Sequence, residues 1–318
     1  MESITKRIDS ITYIDSNRLS IAPPAPRSVK IELVENCNFR CSFCALQDRV
    51  NPCNDSMDLE FFKKITTQMK KAGVEEIGLF FIGESTLNPS LLIAANRFLK
   101  KELKMPYVFL TTNGSAANTT LLKTLMEDGL DSLKWSINSY DPEQFSKIAG
   151  THKRFFNVIL ENLKNAWELR QEHQYKTRLS ASSIMYNGEQ QGKMEAMLET
   201  FVKPYVDTHY WLPLYNSSDF AAQRQTDLGY KVTAGNQGRI GALRDPLPCW
   251  SMFTEGHVRV DGTMSACCFD ALGNFTVGDL HKNTFMECWH SSIFQLWRSH
   301  HLRKDVKGTP CENCIAYS

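Results

Sequence analysis

Apolar positions along this chain fall into two alternating rhythms. Residues 1–28 are polar and end in Pro23-Pro24-Ala25-Pro26, which reads as an extended arm because proline restrains both its own backbone and that of the residue before it. From Val29 the pattern changes. Ile31, Leu33 and Val34 form a strand-like run, Leu59, Phe62, Ile65 and Met69 recur at helical spacing, and Gly73 stands where a C′ glycine ends a helix. Further apolar runs follow at Ile77–Ile82, Tyr107–Thr111, Leu133–Ile137, Leu179–Met185 and Tyr210–Leu212, separated by helical stretches such as Pro89–Lys101 and Phe155–Arg170. Six strands with intervening helices predict parallel βα units. Near-continuous apolar strands suit a parallel sheet covered on both faces. Periodicity leaves a barrel and an open doubly wound sheet equally open, and in both the ligands belong at the C-terminal ends of the strands.

Polar residues recur at those ends: Gly83-Glu84-Ser85 after the second strand, Thr111-Thr112-Asn113-Gly114 after the third, Ser136-Ile137-Asn138 after the fourth, and Ser180, Ser182 and Ser183 within the fifth. Serine and asparagine there are also ordinary turn residues. The length of 318 residues suits about two domains, and a formal charge of +1 gives no electrostatic argument for nucleic acid or membrane as a partner. The first residues carry no apolar signal core, and no segment approaches a membrane span, so the expected location is cytoplasmic. In that reducing setting ten cysteines point to metal or catalysis in preference to disulfides.

Three of them, Cys37, Cys41 and Cys44, form a Cys-x3-Cys-x2-Cys loop directly after the first strand. Three thiolates leave one iron of a four-iron cube open to a substrate or cofactor. A zinc knuckle or buried structural cysteines are the alternatives. Structural zinc takes four ligands, and only Cys53 lies nearby.

The triplet spacing, with Phe43 before its last cysteine, resembles the radical S-adenosylmethionine (SAM) superfamily. The resemblance implies an α/β fold, a partial (β/α)6 barrel over residues 29–213. It implies a [4Fe–4S] cluster on Cys37, Cys41 and Cys44, with S-adenosyl-L-methionine on the open iron as source of a 5′-deoxyadenosyl radical. It implies an electron donor such as flavodoxin or ferredoxin. Cofactor contacts follow by position: Phe43; Gly83, Glu84 and Ser85, where one glycine of the family's Gly-Gly-Glu element is missing and Ser85 replaces the common proline; Thr112 and Asn113; Ser136 and Asn138 toward the ribose; and Ser182 toward the methionyl carboxylate.

From residue 246 to 318 the chain turns cysteine-rich. Pro248-Cys249, Val260-Asp261-Gly262, Cys267-Cys268-Phe269-Asp270, Val277-Gly278-Asp279-Leu280 and Cys311-Glu312-Asn313-Cys314 resemble a SPASM/Twitch extension, which binds auxiliary four-iron clusters. Asp261-Gly262 between apolar runs independently predicts a tight hairpin. Cys288 reads as a helix core position. The remaining count fits one auxiliary [4Fe–4S] cluster or, equally, a zinc site. Cys311 and Cys314 are the expected ligands, while Cys249, Cys267 and Cys268 compete for two places. The surplus thiol is a candidate hydrogen-atom donor or a small core residue.

Met57–Phe62, Gly83-Glu84-Ser85, His209–Tyr215, Gly235–Arg239 and Leu247–Trp250 resemble a narrower group, the radical epimerases and dehydrogenases of aminoglycoside antibiotic assembly, of the neomycin C epimerase type. This implies inversion of a sugar carbon, with Cys249 as hydrogen donor and Cys267, Cys268, Cys311 and Cys314 as ligands. The Cys249–Cys267 spacing also matches a ligand pair in related dehydrogenases, so Cys249 and Cys268 can exchange roles. Residues 214–245 connect the two regions, and Tyr205, Asp207, His209, Trp211, Tyr215, Asp219, Asn236, Gln237 and Arg239 offer a sugar- or amine-binding inventory, with Tyr210, Trp211 and Leu212 equally readable as strand core. Competing activities are dehydrogenation of a cyclitol or sugar alcohol and peptide modification, the latter weakened by the short arm. A non-enzymatic metal scaffold leaves Gly83-Glu84 and Thr111–Gly114 without purpose.

Overall fold

The computed structural model describes residues 3–48, 55–214, 238–312 and 314. Cys53, Tyr215, Asp219, Asn236 and Gln237 lie outside the described residues. Six parallel strands, β1 (Ser28–Ile31), β2 (Glu76–Gly78), β3 (Tyr107–Thr112), β4 (Ser132–Ser136), β5 (Arg178–Ile184) and β6 (Thr208–Leu212), stand side by side in chain order. The sheet does not end at β1. There β7 (Glu255–Val258) pairs in parallel, and β8 (Thr263–Ser265) and β9 (Thr276–Asp279) follow antiparallel, so residues 29–213 and 246–318 share one sheet.

Strand side chains alternate in character. Val29, Ile31, Ile77, Val108, Leu110, Leu133, Trp135, Leu179 and Ala181 are at most 1% exposed and form the core beneath the helices. The intervening residues, among them Lys30, Glu76, Lys134, Ser180 and Tyr210, face a cavity. The expectation of strands apolar on both faces is therefore corrected. Helices cover one face, and the other lines a void, as in a partial barrel and unlike a doubly wound sheet.

Helix Leu59–Ala72 forms as its spacing predicts. Asp58 accepts a hydrogen bond from the Phe61 N–H at its start, and Gly73, at φ 95°, ends it. Helix Phe155–His173 extends the predicted span, while Pro89–Arg97 passes into a π turn at Phe98–Glu102. Strand β2 is shorter than Ile77–Ile82, because the chain leaves the ladder after the Leu79 N–H bonds Phe109 O. That departure brings Gly83 against the first strand's exit. A Cβ there would lie 1.9 Å from Val34 O, so only glycine fits.

The extended arm is a further correction. Ile4–Ile11 is a helix, α1, with Ser3 as its N-cap, and Arg7 pairs with Glu76 at 2.8 Å. The proline stretch then docks on the C-terminal region, with Trp289 Nε1 donating to Pro24 O at 3.0 Å and Arg298 to Ile21 O at 3.2 Å. The hairpin at Asp261-Gly262 forms as predicted, with Gly262 at φ 79° and its N–H on Arg259 O at 3.0 Å. Cys288 is a helix core residue, 1% exposed. Among the described residues no helix is long and apolar enough to cross a membrane.

Candidate active site

The cysteine loop leaves β1 at the C-terminal end of the strands, where its backbone is tied on several sides. Arg40 N–H and Ser42 N–H donate to Ala149 O and Ile148 O, both at 2.8 Å, and the Phe39 ring packs edge-on to Phe145 at 5.5 Å. Backbone N–H groups of Phe39 and Leu46 point at the sulfurs of Cys37 and Cys44, each at 3.4 Å, and Asn113 Nδ2 reaches Cys37 Sγ at 3.6 Å. Burial and then the Glu84 carboxylate push the Cys37 thiol up to about 12. Burial, followed by Cys44 and Cys37, raises Cys41 well above its usual range. Two neighbouring soft donors that resist ionising together, Cys37 and Cys41, fit a site completed by positive charge. Among the described residues no three His, Cys, Asp or Glu side chains converge closely enough for a single metal ion. Three thiolates are one short of the four ligands that structural zinc takes, so this loop suits a four-iron cluster with one open iron better than a zinc knuckle.

Glu84 knits the neighbouring strand ends to that loop. Its N–H donates to Asn36 O at 2.8 Å. Its carboxylate, 4% exposed, accepts from Thr86 N–H (3.1 Å), Thr86 Oγ1 (2.7 Å), Thr112 Oγ1 (2.8 Å) and Asn113 N–H (2.7 Å). Ser85 is buried beside it. Cys37, Cys41, Cys44, Gly83, Glu84, Ser85, Thr112 and Asn113 thus form one connected group. Ser136, Asn138 and Ser182 sit farther along, at the ends of β4 and β5. Asn138 Oδ1 accepts from the Ile184 N–H at 3.0 Å, and the Ser182 hydroxyl bonds Tyr210. Phe43 packs with Ile148, Ile184, Tyr186 and Leu214, and the Tyr186 hydroxyl donates to Asn138 O at 2.6 Å. Glu32, which sequence reasoning passed over, is 1% exposed and accepts from both Gly83 N–H (3.1 Å) and Val260 N–H (3.3 Å), joining barrel to hairpin.

The C-terminal thiols sort into two settings. Cys311 is raised by burial and then by its neighbours Cys267, Cys249 and Cys314. Cys268 touches Cys267 but also borders the cavity, close to Lys30. That cavity, of about 250 Å³, lies one residue layer toward the strand starts from Ser136 and Ser182, since Lys134 and Ser180 are paired on the same face. Its lining includes Tyr210, Trp250, Glu255 and Arg239 but none of the first three cysteines. Arg239 is held by Asp9 of α1 at 2.6 Å. Asp207 serves structure, accepting from Arg170 at 2.6 Å and from the Leu179 N–H at 2.9 Å. His209 does not line the cavity; it bonds Ser183 at 3.0 Å, and burial lowers it to about 4.

A profile described as the Radical SAM superfamily matches residues 31–201, and one described as SPASM, an iron–sulfur cluster-binding domain, matches residues 249–315. The chain is 28% identical to a probable GTP 3′,8-cyclase of Thermococcus kodakarensis over 142 residues, which is 44% of this chain and 43% of that protein. It is 31% identical to the PqqA peptide cyclase of Xanthomonas axonopodis pv. citri over 134 residues, 42% of this chain and 34% of that one. The matched stretch therefore spans less than half of either relative. Among solved structures, SuiB of Streptococcus suis bound to S-adenosylmethionine superposes with a TM-score of 0.65 at 15% identity, covering 92% of this chain and 72% of that one. BtrN in complex with AdoMet and 2-DOIA gives 0.57 at 15% identity, covering 91% and 92%. These likenesses show the fold.

Proposed function

Because the chain belongs to the radical SAM superfamily and carries an iron–sulfur cluster-binding SPASM domain, we propose that it epimerises a carbon of a sugar-like small molecule, the aminoglycosides being the class its sequence resembles. When bound, the first cluster and S-adenosyl-L-methionine supply a carbon radical able to take hydrogen from a C–H bond. Cys37, Cys41 and Cys44 hold that cluster, and Glu84, with Thr112 and Asn113 fixed on it, shapes the methionyl end of the cofactor site. Ser136, Asn138 and Ser182 line the ribose side, with Phe43 as an apolar wall. Cys249, Cys267, Cys311 and Cys314 hold the auxiliary cluster.

One observation carries the reading. Cys268 opens on the cavity, while Cys249, Cys267 and Cys314 are neighbours of Cys311. This exchanges the roles of Cys249 and Cys268 expected from sequence. The Cys268 S–H bond is weaker than most C–H bonds, so it returns a hydrogen atom to the substrate radical from the face it occupies. An electron from a flavodoxin- or ferredoxin-type donor and a proton from solvent restore the thiol. A cavity of about 250 Å³ lies just below the usual range of drug-sized ligand pockets, which suits a single sugar ring better than a peptide.

The test incubates reconstituted, anaerobically reduced protein with aminoglycosides, simple hexoses, hexuronates and hexose phosphates in D2O. The expected product is an isomer carrying one deuterium. Cys268→Ala cleaves the cofactor without forming it, and Cys249→Ala loses auxiliary-cluster iron. A product lacking two hydrogens overturns epimerisation in favour of dehydrogenation. Full epimerase activity in Cys268→Ala overturns the thiol assignment.

A further inference from the structure

Among the described residues the cavity's charges are paired with one exception. Arg7 meets Glu76 at 2.8 Å, Arg239 and Arg244 meet Asp9 at 2.6 and 4.0 Å, and Lys30 meets Glu255. Lys134, from the middle of β4, borders the same void. Among the described residues it has no hydrogen-bond or ion-pair partner, only the Tyr210 ring, whose centroid is 5.9 Å away. The described lining thus counts five cationic side chains against three carboxylates.

Directly across the ladder from Lys134 stands Ser180, 1% exposed, whose hydroxyl has no hydrogen-bond partner. Trp250 Nε1 is a second buried donor at the cavity without an acceptor. An ammonium withdrawn from water and left unpaired is unfavourable, and so is a buried donor without an acceptor. Both are relieved by one kind of ligand, a molecule presenting anionic oxygens to Lys134 and Ser180. Glu255 Oε2, four strands along the sheet, also lacks a hydrogen bond, its nearest charged neighbour being His257 Nε2 at 3.5 Å.

We infer that the cavity takes an acidic sugar, its carboxylate or phosphate seated on Lys134 and Ser180 and its hydroxyls toward Glu255 and Trp250. This rests on the sugar-like substrate proposed above and narrows it. The excess of cations disfavours a molecule whose only charges are ammonium groups.

The test is calorimetric binding, without turnover, of glucuronate, glucose 6-phosphate, glucose and glucosamine to the anaerobic holoenzyme and to Lys134→Met and Ser180→Ala. The expected result is that at least one acid binds about tenfold or more tighter than glucose, the size expected of a hydrogen bond to a charged group. Whichever acid leads identifies carboxylate or phosphate. In Lys134→Met the ratio falls to about one, and in Ser180→Ala it shrinks. Glucosamine binding more tightly than both acids, no preference among the probes, no binding of any of them, or an unchanged ratio in Lys134→Met overturns the inference. Each of these outcomes leaves the deuterium experiment to judge epimerisation separately.

Discussion

Replacing Lys134 by methionine is expected to make the protein more stable. The substitution keeps an unbranched side chain in place and removes the charge. Burial lowers this lysine from 10.5 to about 8, and that gap, at about 1.36 kcal/mol for each pH unit, amounts to about 3 kcal/mol. The direction follows from proton binding. Between about pH 8 and 10.5 the unfolded chain holds a proton that the folded chain does not, so wild-type stability rises with pH through that window. Below it the full penalty applies. At pH 7 Lys134→Met should gain about 3 kcal/mol, or about 5 °C in Tm at an unfolding entropy of about 2.1 cal/mol/K per residue. The gain should fade as the pH approaches 10.5. Lys30 is the control, because burial also lowers it to about 8 but it pairs with Glu255. Lys30→Met strands that carboxylate and should cost about 3 kcal/mol or more. Scanning calorimetry of the holoenzyme at pH 7, 9 and 10 reads all of this. A Tm for Lys134→Met that is unchanged or lower at pH 7, or a gain that does not vary with pH, refutes the reasoning.

Gly83→Ala drives a Cβ into Val34 O and should cost about 1–3 kcal/mol together with cluster occupancy, read as iron per chain after reconstitution. Glu84→Gln keeps the shape but sets an amide against the Asn113 N–H or the Thr112 hydroxyl; cofactor affinity should drop by about tenfold or more in equilibrium dialysis. Arg298 is fully buried and donates to Met252, Ile21 and Trp289 carbonyls, so Arg298→Met should release the arm that these bonds tie down and open residues 1–27 to protease in limited proteolysis.

The strand and helix order, the open-iron triplet, the Asp261-Gly262 hairpin and the core position of Cys288 were all legible in the chain, because each is a local pattern. The helix at Ile4–Ile11 carried a signal too: Ile4, Ile8 and Ile11 share one helical face, masked by the polar composition around them and the prolines that follow. The cavity charges were hidden in plain runs. Lys30 lies between Val29 and Ile31, and Lys134 between Leu133 and Trp135, so one charge inside a buried strand marked the inward face. The end of β2 had no local signal, since Phe80-Phe81-Ile82 is as strand-like as what precedes it and the turn is dictated by the approach of Gly83 to Val34. Which of Cys249 and Cys268 borders the void is a matter of tertiary placement, and spacing does not encode that.

The pairing of β1 with β7 joins residues 28–31 to residues 255–258. On the ribosome, the strand that opens the barrel therefore waits for more than two hundred further residues before its second neighbour exists. Until then it is a bare sheet edge, the kind that recruits strands from other chains. A chain truncated ahead of residue 249 would stay in that condition, with the arm's docking carbonyls uncovered as well. High-level expression should accordingly favour slow synthesis and chaperone cover, and fragments cut at the boundary between the two matched segments should precipitate instead of yielding a soluble barrel.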